Sequence, residues 1–403
     1  MIMDLYSGLP YWIAKNPLYD YFNPLAKDHK TDVLIIGSGI TGALIAHELC
    51  KSGIKCTIVD KRNVSMGSSI ASTSLLQYEI DTPLHKLSEM VGEHWAVESY
   101  KASLQAIEDI ENVFKEINYN PDFQKTSSIF YASSSKDLKI IDDEYQIRRK
   151  YSLPVEYLNK RELRKSIGIK APGALKNDVS AKMDCYAAST HIIDYYLKKK
   201  KLKVFTNTKV VKFHETTDGY TILTEDKKKI KCKYLVIAAG FESGQFLPKQ
   251  VMKLLSTYAL ISEPIDKKYF WAEESLIWET RQPYLYVRTC GNRIMVGGED
   301  IDFNDPVKRD RLLRKKVSIL EEKFHRLFPD IPLKTDMAWC GTFSSTKDGL
   351  PYIGFWPEKN RLFFALGYGG NGITFSMIAA QVLKNKLTGV KDARGKIFGF
   401  DRN

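Results

Sequence analysis

The sequence predicts a two-domain α/β chain, and three observations near its start carry that prediction. An apolar strand, Asp32 to Ile36, runs into Gly37-Ser38-Gly39-Ile40-Thr41-Gly42; a helix-spaced set, Ala43, Leu44, Ala46 and Leu49, follows; a second apolar run, Cys56 to Val59, ends on Asp60. Gly37 permits a sharp turn, Gly39 lets backbone approach a pyrophosphate, and Gly42 brings helix against strand. The helix then points its N–H groups at the phosphates. An acid roughly twenty residues on is placed to accept the hydroxyls of an adenosine ribose. Strand, turn, helix and acid in this order specify a Rossmann-type dinucleotide-binding domain, with the dinucleotide itself still open.

Composition sets the frame for the rest. At 403 residues the chain exceeds one usual core, and 44% hydrophobic residues suffice for two. No apolar run reaches the roughly eighteen residues that would span a bilayer, and the N-terminus has no secretory pattern. Six cysteines, Cys50, Cys56, Cys185, Cys232, Cys290 and Cys340, lie scattered without metal-ligand spacing. Buried free thiols, a cytoplasmic location and no metal are therefore expected. The net charge of +12 comes largely from lysine runs such as 198–201 and 227–229. Without interleaved aromatics these read as solvated faces, so no nucleic-acid partner is expected.

Residues 1–27, with Tyr11, Trp12, Tyr19, Tyr21 and Phe22 but no period, predict an ordered extended arm. The hydroxyl-rich stretch Gly67 to Gln77 reads as a loop that contacts a ligand. Helical spacing runs from Pro83 to Ile117 through Trp95, Val97, Leu104, Ile107, Ile110 and Phe114. A strand at 128–132, a helix at 137–150 and several strands between 203 and 238 follow, the last ending Ala238-Ala239-Gly240. A strand-rich block covers 254–300, with 284–288 and 293–296 flanking the turn at Cys290-Gly291-Asn292. A charged helix occupies 306–327, and a final helix starts near Thr374. The nucleotide domain is expected from 28–90, 150–250 and 335–403, the substrate domain from 91–149 and 251–334. In the second, helices 91–118 and 306–327 are expected to flank an antiparallel sheet.

Three distant segments then combine: the glycine turn with Asp60, the strand end Ala238-Ala239-Gly240, and Gly367-Tyr368-Gly369-Gly370-Asn371-Gly372-Ile373-Thr374 before the last helix. Together they resemble the FAD-dependent amine and amino-acid oxidoreductases of the D-amino-acid oxidase family. The stretch Trp339 to Gly354, with Thr346-Lys347-Asp348-Gly349 and Pro351-Tyr352-Ile353-Gly354, is similar to glycine oxidases; the 67–77 loop is similar to that of sarcosine oxidases; and the strand pair at 286–298 is similar to gamma-glutamylputrescine oxidases.

The resemblance implies non-covalent FAD, since Gly341 stands where relatives attach flavin through cysteine. It implies cofactor contacts from Gly37, Ser38, Gly39, Ile40, Thr41, Gly42, Asp60, Lys61, Ser72, Thr73, Ser74, Leu75, Val210, Ala238, Ala239, Gly240, Gly341, Gly369, Gly370, Asn371, Gly372, Ile373 and Thr374. The implied reaction is oxidation of a C–N bond by hydride transfer to flavin N5, the imine then hydrolysing, with dioxygen or another acceptor taking the electrons.

Departures from the relatives bear on the substrate. Phe343 replaces the arginine with which glycine oxidases clamp a carboxylate, and Ser74 and Gln77 replace two arginines of sarcosine oxidases. Arg288 or Arg281, with Tyr284 and Tyr286, becomes the candidate carboxylate clamp, Gln77 a neutral hydrogen-bonding group, and Lys347 a candidate positive charge near the ring; Met295 stands where sarcosine oxidases carry a lysine. An amine without an α-carboxylate is an open alternative. Flavin-dependent tRNA-base demodification and a non-catalytic electron-transfer flavoprotein remain as other readings.

Overall fold

The computed structural model describes residues 6–18, 22–247, 249–302 and 305–402. Two sheets organise the chain. In the eight-stranded sheet, His29–Ile36 lies between Cys56–Val59 and Lys229–Ile237, with Leu202–Phe205 beyond the first and Lys359–Leu366 then Tyr352–Trp356 beyond the second. All these pairs are parallel except the last. Alternation sorts the central strand: Val33 and Ile35 face the helices Ile40–Lys51, Cys185–Lys198 and Gly372–Leu387, while Leu34 and Ile36 face the other side. That other side is covered by the antiparallel pair Val210–Thr216 and Gly219–Thr224 with irregular segments, not by a second helical layer. The helices of the Rossmann-type unit thus stack on one face of the sheet.

The ten-stranded sheet runs Tyr6–Gly8, Thr335–Ser345, Lys253–Ser262, Arg293–Asp302, Leu285–Cys290, Leu276–Glu279, Gln124–Tyr131, Gly173–Lys182, Leu75–Leu76, with Glu156–Asn159 also on Gly173–Lys182. Every pairing is antiparallel except Leu276–Glu279 with Gln124–Tyr131. Strands 173–182 and 335–345, expected in the nucleotide domain, pair here instead, because long-range pairing leaves no local signature. Helix Pro306–Leu327, opened by Pro306 after the Asp305 cap, lays Leu320, Phe324 and Leu327 on Tyr258, Leu260, Val287 and Val296.

The long helix expected from Pro83 is two, Leu84–Val91 and Glu93–Ile117, broken at Gly92 with φ +86°. The second of these packs mainly on Gly372–Leu387 and also touches Gly173–Lys182 of the ten-stranded sheet, because its stripe of Ile107, Ile110 and Phe114 belongs to the helical core.

Of the N-terminal arm, residues 1–5 and 19–21, including Tyr19 and Tyr21, lie outside the described residues. The remainder contains regular elements: Tyr6–Gly8 pairs with Thr335–Ser345, and Tyr11–Lys15 is a helical turn whose Trp12 is fully buried and donates from its indole N–H to the Ser72 carbonyl at 2.7 Å. Among the described residues, no helix is long and apolar enough to cross a membrane.

Candidate active site

One long cavity runs between the sheets, and the glycine turn forms one wall. A Cβ on Gly37, which sits at φ +115°, would fall 2.3 Å from the Ala238 carbonyl oxygen, and one on Gly42 would fall 2.0 Å from the Gly37 carbonyl oxygen. Both are therefore fixed by chain packing. A Cβ on Gly39 would meet only the Ser69 hydroxyl, at 2.8 Å, so its backbone is bare toward the cavity. That is the cradle a pyrophosphate requires.

At one end, Asp60 accepts from the Ser38 N–H (2.8 Å), the Ser38 hydroxyl (2.6 Å) and the Arg62 N–H (2.9 Å). Burial raises its pKa while these donors oppose the rise. Glu242 accepts from Lys61 at 2.6 Å and from Arg62 at 2.8 Å, closing this end with paired charges.

The middle and far end are formed by 67–77, Gly341 to Phe343 and Tyr368 to Ile373. The Asn371 amide donates to the carbonyls of Glu79 (2.7 Å) and Gln77 (3.3 Å), fixing the loop before the last helix against the hydroxyl-rich segment. Gly370 donates from its N–H to Asp81 at 2.6 Å. The far wall comes from the ten-stranded sheet. Along Leu285–Cys290, Leu285 and Val287 pack toward helix 306–327, and Tyr286, on the other face, enters the cavity with its neighbour Tyr284. Tyr286 lies across Gly297, where a Cβ would come within 2.3 Å of its ring. Tyr284 and Tyr286 have centroids 5.7 Å apart, and Trp278 meets Tyr284 edge-on at 6.4 Å.

Most of the residues expected from the sequence meet here. Gly37, Gly39, Ile40, Thr41, Asp60, Lys61, Ser72, Thr73, Ser74, Leu75, Val210, Ala238, Ala239, Gly240, Gly341, Gly369, Gly370, Asn371, Gly372 and Ile373 line the cavity, as do Gln77 and Tyr286. Ser38, Gly42 and Thr374 stand behind the lining: Ser38 holds Asp60, Gly42 seats the helix, and the Thr374 hydroxyl donates to the Asn371 carbonyl at 3.0 Å.

Three candidates do not reach it, and one of them, Arg281, is exposed and outside the lining. Lys347 is exposed and outside the lining, because the turn it occupies is drawn away by Asp348 accepting from Arg402 at 2.9 Å. Arg288 is 2% exposed and gives its guanidinium to the carbonyls of Thr73 (3.0 Å), Ser74 (2.9 Å) and Met183 (2.9 Å), which leaves it no role as a clamp in the cavity. Met295 is buried with Trp12 and Trp339, away from any ring site.

The sequence reading missed Glu79, Asp81, Asp300, Thr257 and Trp278, all in the lining. Burial pushes Asp300 up to about 7, against the Thr257 hydroxyl and Lys316, with Asp81 and Glu299 adding repulsion.

The residues present fit FAD along its length: an acid for a ribose at one end, bare backbone beside a helix N-terminus in the middle, and a glycine-rich loop facing aromatic rings at the other. The family model described as DAO, FAD dependent oxidoreductase, matches residues 32–385. Glycine oxidase of Geobacillus kaustophilus is 25% identical over 377 residues, spanning 89% of this chain and 94% of that protein. Glycine oxidase of Bacillus licheniformis is 25% identical over 374 residues, spanning 89% and 93%. Among solved structures, glycine oxidase from Geobacillus kaustophilus has a TM-score of 0.78 at 19% identity, covering 93% of this chain and 99% of that one. L-proline dehydrogenase from P. horikoshii has 0.77 at 19% identity, covering 91% and 95%.

Proposed function

Since the chain belongs to the DAO family of FAD-dependent oxidoreductases, we propose that this enzyme oxidises the C–N bond of a small amine or amino acid, giving an imine that water hydrolyses. Bound FAD supplies the two-electron acceptor for a hydride leaving the carbon next to nitrogen. The observation that carries the reading is the far end of the cavity, where the Gly369–Gly372 loop faces Gln77, Trp278, Tyr284 and Tyr286.

The chain's own groups bind and orient. Gly39 and the N-terminus of helix Ile40–Lys51 would hold the pyrophosphate, Asp60 the adenosine ribose, and Ser72 to Leu75 with Gly341 and Gly369 to Ile373 the ring. These contacts would be non-covalent, since Gly341 offers no sulfur and the neighbouring Cys340 is buried, facing Asp310 and Ser7 rather than the cavity. Gln77 has its amide N–H on the Ser128 hydroxyl at 2.9 Å, and the Tyr286 hydroxyl lies 3.3 Å from that of Thr257. Both side chains are thereby held in one orientation beside the substrate space. The aromatic walls exclude water and leave room for an apolar substituent.

The test is anaerobic titration of the yellow holoenzyme with primary, secondary and α-carboxylated amines, followed at the flavin band near ~450 nm. Bleaching by one class supports the reading, and admitting air then separates dioxygen from another acceptor. A flavin that dithionite reduces but no amine bleaches would overturn it.

A further inference from the structure

The charges lining the cavity are segregated. Its cations, Lys61, Arg62 and Lys209, all lie at the adenosine end with Asp60 and Glu242. The far end carries Glu79, Asp81 and Asp300 and, among the described residues, no lysine, arginine or histidine. Relatives that bind a carboxylate need a cation there, and here Phe343 occupies the expected position while Arg288 is committed to backbone carbonyls.

The three acids are not equivalent. Glu79, 4% exposed, accepts from Arg148 (3.3 Å) and Asn177 (2.5 Å) through one oxygen, while Oε2 has no partner among the described residues. Asp81 accepts from the Gly370 N–H and, at 3.4 Å, from the Tyr284 hydroxyl. Asp300 has the Thr257 hydroxyl beside its carboxylate, but its Oδ1 is buried without a hydrogen-bond partner among the described residues; Lys316, the nearby cation, instead bonds Glu299 at 2.9 Å. A buried carboxylate oxygen with no donor is costly unless a ligand supplies one. Tyr284 and Tyr286 lie close enough to Asp300 to feel its charge, and Trp278 meets Tyr284 edge-on in the same cavity; rings of this type attract ammonium groups.

We infer that the far end of the cavity takes a cationic amine without a carboxylate, whose ammonium donates to Asp300 among the rings of Trp278, Tyr284 and Tyr286. This inference rests on the C–N oxidation proposed above. With Glu79 paired to Arg148, a substrate carboxylate would face Asp81 and Asp300 with no cation in the lining of the far end, so α-amino acids are disfavoured by repulsion as well as by the missing clamp. One proton then passes from the ammonium nitrogen to the Asp300 oxygen: an N–H bond breaks, an O–H bond forms, and a neutral amine with its lone pair remains, which hydride departure requires.

The experiment uses holoenzyme and substrate pairs that differ only in the carboxylate: butylamine and norvaline, benzylamine and phenylglycine, pyrrolidine and proline. Benzyltrimethylammonium and benzoate serve as ligands that cannot be oxidised, read by the shift each causes in the flavin spectrum. The expected result is that at least one carboxylate-free member reduces the flavin about 100-fold more efficiently than its amino acid, and that the quaternary ammonium perturbs the spectrum where benzoate does not. Asp300→Asn should weaken that perturbation by about tenfold or more, while Asp300→Glu retains part of it. Faster reduction by the amino acids, tighter binding of benzoate, or undiminished ammonium binding by the Asn variant would each overturn the inference. Should the variants fail to retain flavin, the paired comparison on the unaltered enzyme decides alone. If neither member of any pair reduces the flavin while the ammonium binds through Asp300, the C–N oxidation reading falls and the cation site stands.

Discussion

Arg288 donates a 2.9 Å hydrogen bond from its guanidinium to the carbonyl oxygen of Ser74, a residue held at φ +56°. Left-handed backbone in a non-glycine residue is sustained only where its surroundings over-determine it, and the same guanidinium also holds the Thr73 and Met183 carbonyls. The residue thus acts on the loop facing the ring site. Arg288→Met should leave four carbonyls, those of Thr73, Ser74, Met183 and Thr289, short of a donor, cost about 3 kcal/mol or more, and lower flavin retention. Lysine, with a point charge in place of a fork, should recover little. Thermal melts and the flavin-to-protein absorbance ratio check this. A variant that keeps its flavin and loses affinity only for carboxylated ligands would restore the clamp.

Gly297 stands directly opposite Tyr286 in the sheet and gives its ring a floor without a side chain. Gly297→Ala should displace that ring, since the added carbon would sit 2.3 Å from it, while the outward packing of Leu285 and Val287 is untouched. We expect flavin content near normal and substrate-driven flavin reduction lowered by roughly tenfold or more, because misplacement near the chemistry is costly even when folding survives. Rapid-mixing reduction of the loaded variant measures it.

The nucleotide half of the site was legible because it is local. Gly37 to Gly42 and Asp60 form one strand-turn-helix-strand unit, and each residue type there answers a requirement of its own segment. Arg288 was misread because strand alternation puts it on the same face as Tyr286 but does not reveal that Thr73 and Ser74 cover its end of the strand. Asp81 and Asp300 are ordinary acids in sequence. Only pairing of distant strands brings them together: unbroken alternation from Gly297 would put Glu299 inward and Asp300 outward, and the register shift opposite Ser256 to Tyr258 reverses the two. The helical turn that carries the buried Trp12 escaped because five residues are too few to show a period.

His47, 1% exposed, carries a pKa lowered to about 4, chiefly because burial disfavours the imidazolium, with Glu116 opposing and Lys51 assisting. Its Nδ1 lies 3.2 Å from the Tyr196 hydroxyl. An unfolded histidine titrates near ~6.5, so between that pH and about 4 the unfolded chain binds the additional proton. Stability from this group is present above the unfolded value and is lost as pH falls through the window, on the order of 3 kcal/mol in all. His47→Gln keeps an acceptor for Tyr196 and removes the titration. Denaturant melts from pH 7 to pH 4 should show a shallower loss in the variant than in the parent.

Asp300 makes the opposite demand. Its folded pKa of about 7 lies above the ordinary aspartate value of 3.8, so between those values the folded state binds the additional proton. Stability therefore falls as pH rises through this window, and the whole cost, on the order of 4 kcal/mol, is present once the carboxylate is ionised. Asp300→Asn should raise the melting temperature at pH 8 and leave it little changed near pH 4, where both side chains are largely neutral in the folded state. Substrate efficiency should move the other way. In the parent it should gain a rising limb near pH 7 as Asp300 ionises among Asp81, Glu299, Lys316 and the hydroxyls of Thr257, Tyr284 and Tyr286, and in the variant that limb should vanish. A variant more stable at high pH and weaker toward cationic amines would mark Asp300 as a charge kept for the ligand at the fold's expense. Equal melting temperatures across the pH range would instead mean that the folded protein already satisfies this carboxylate without a ligand.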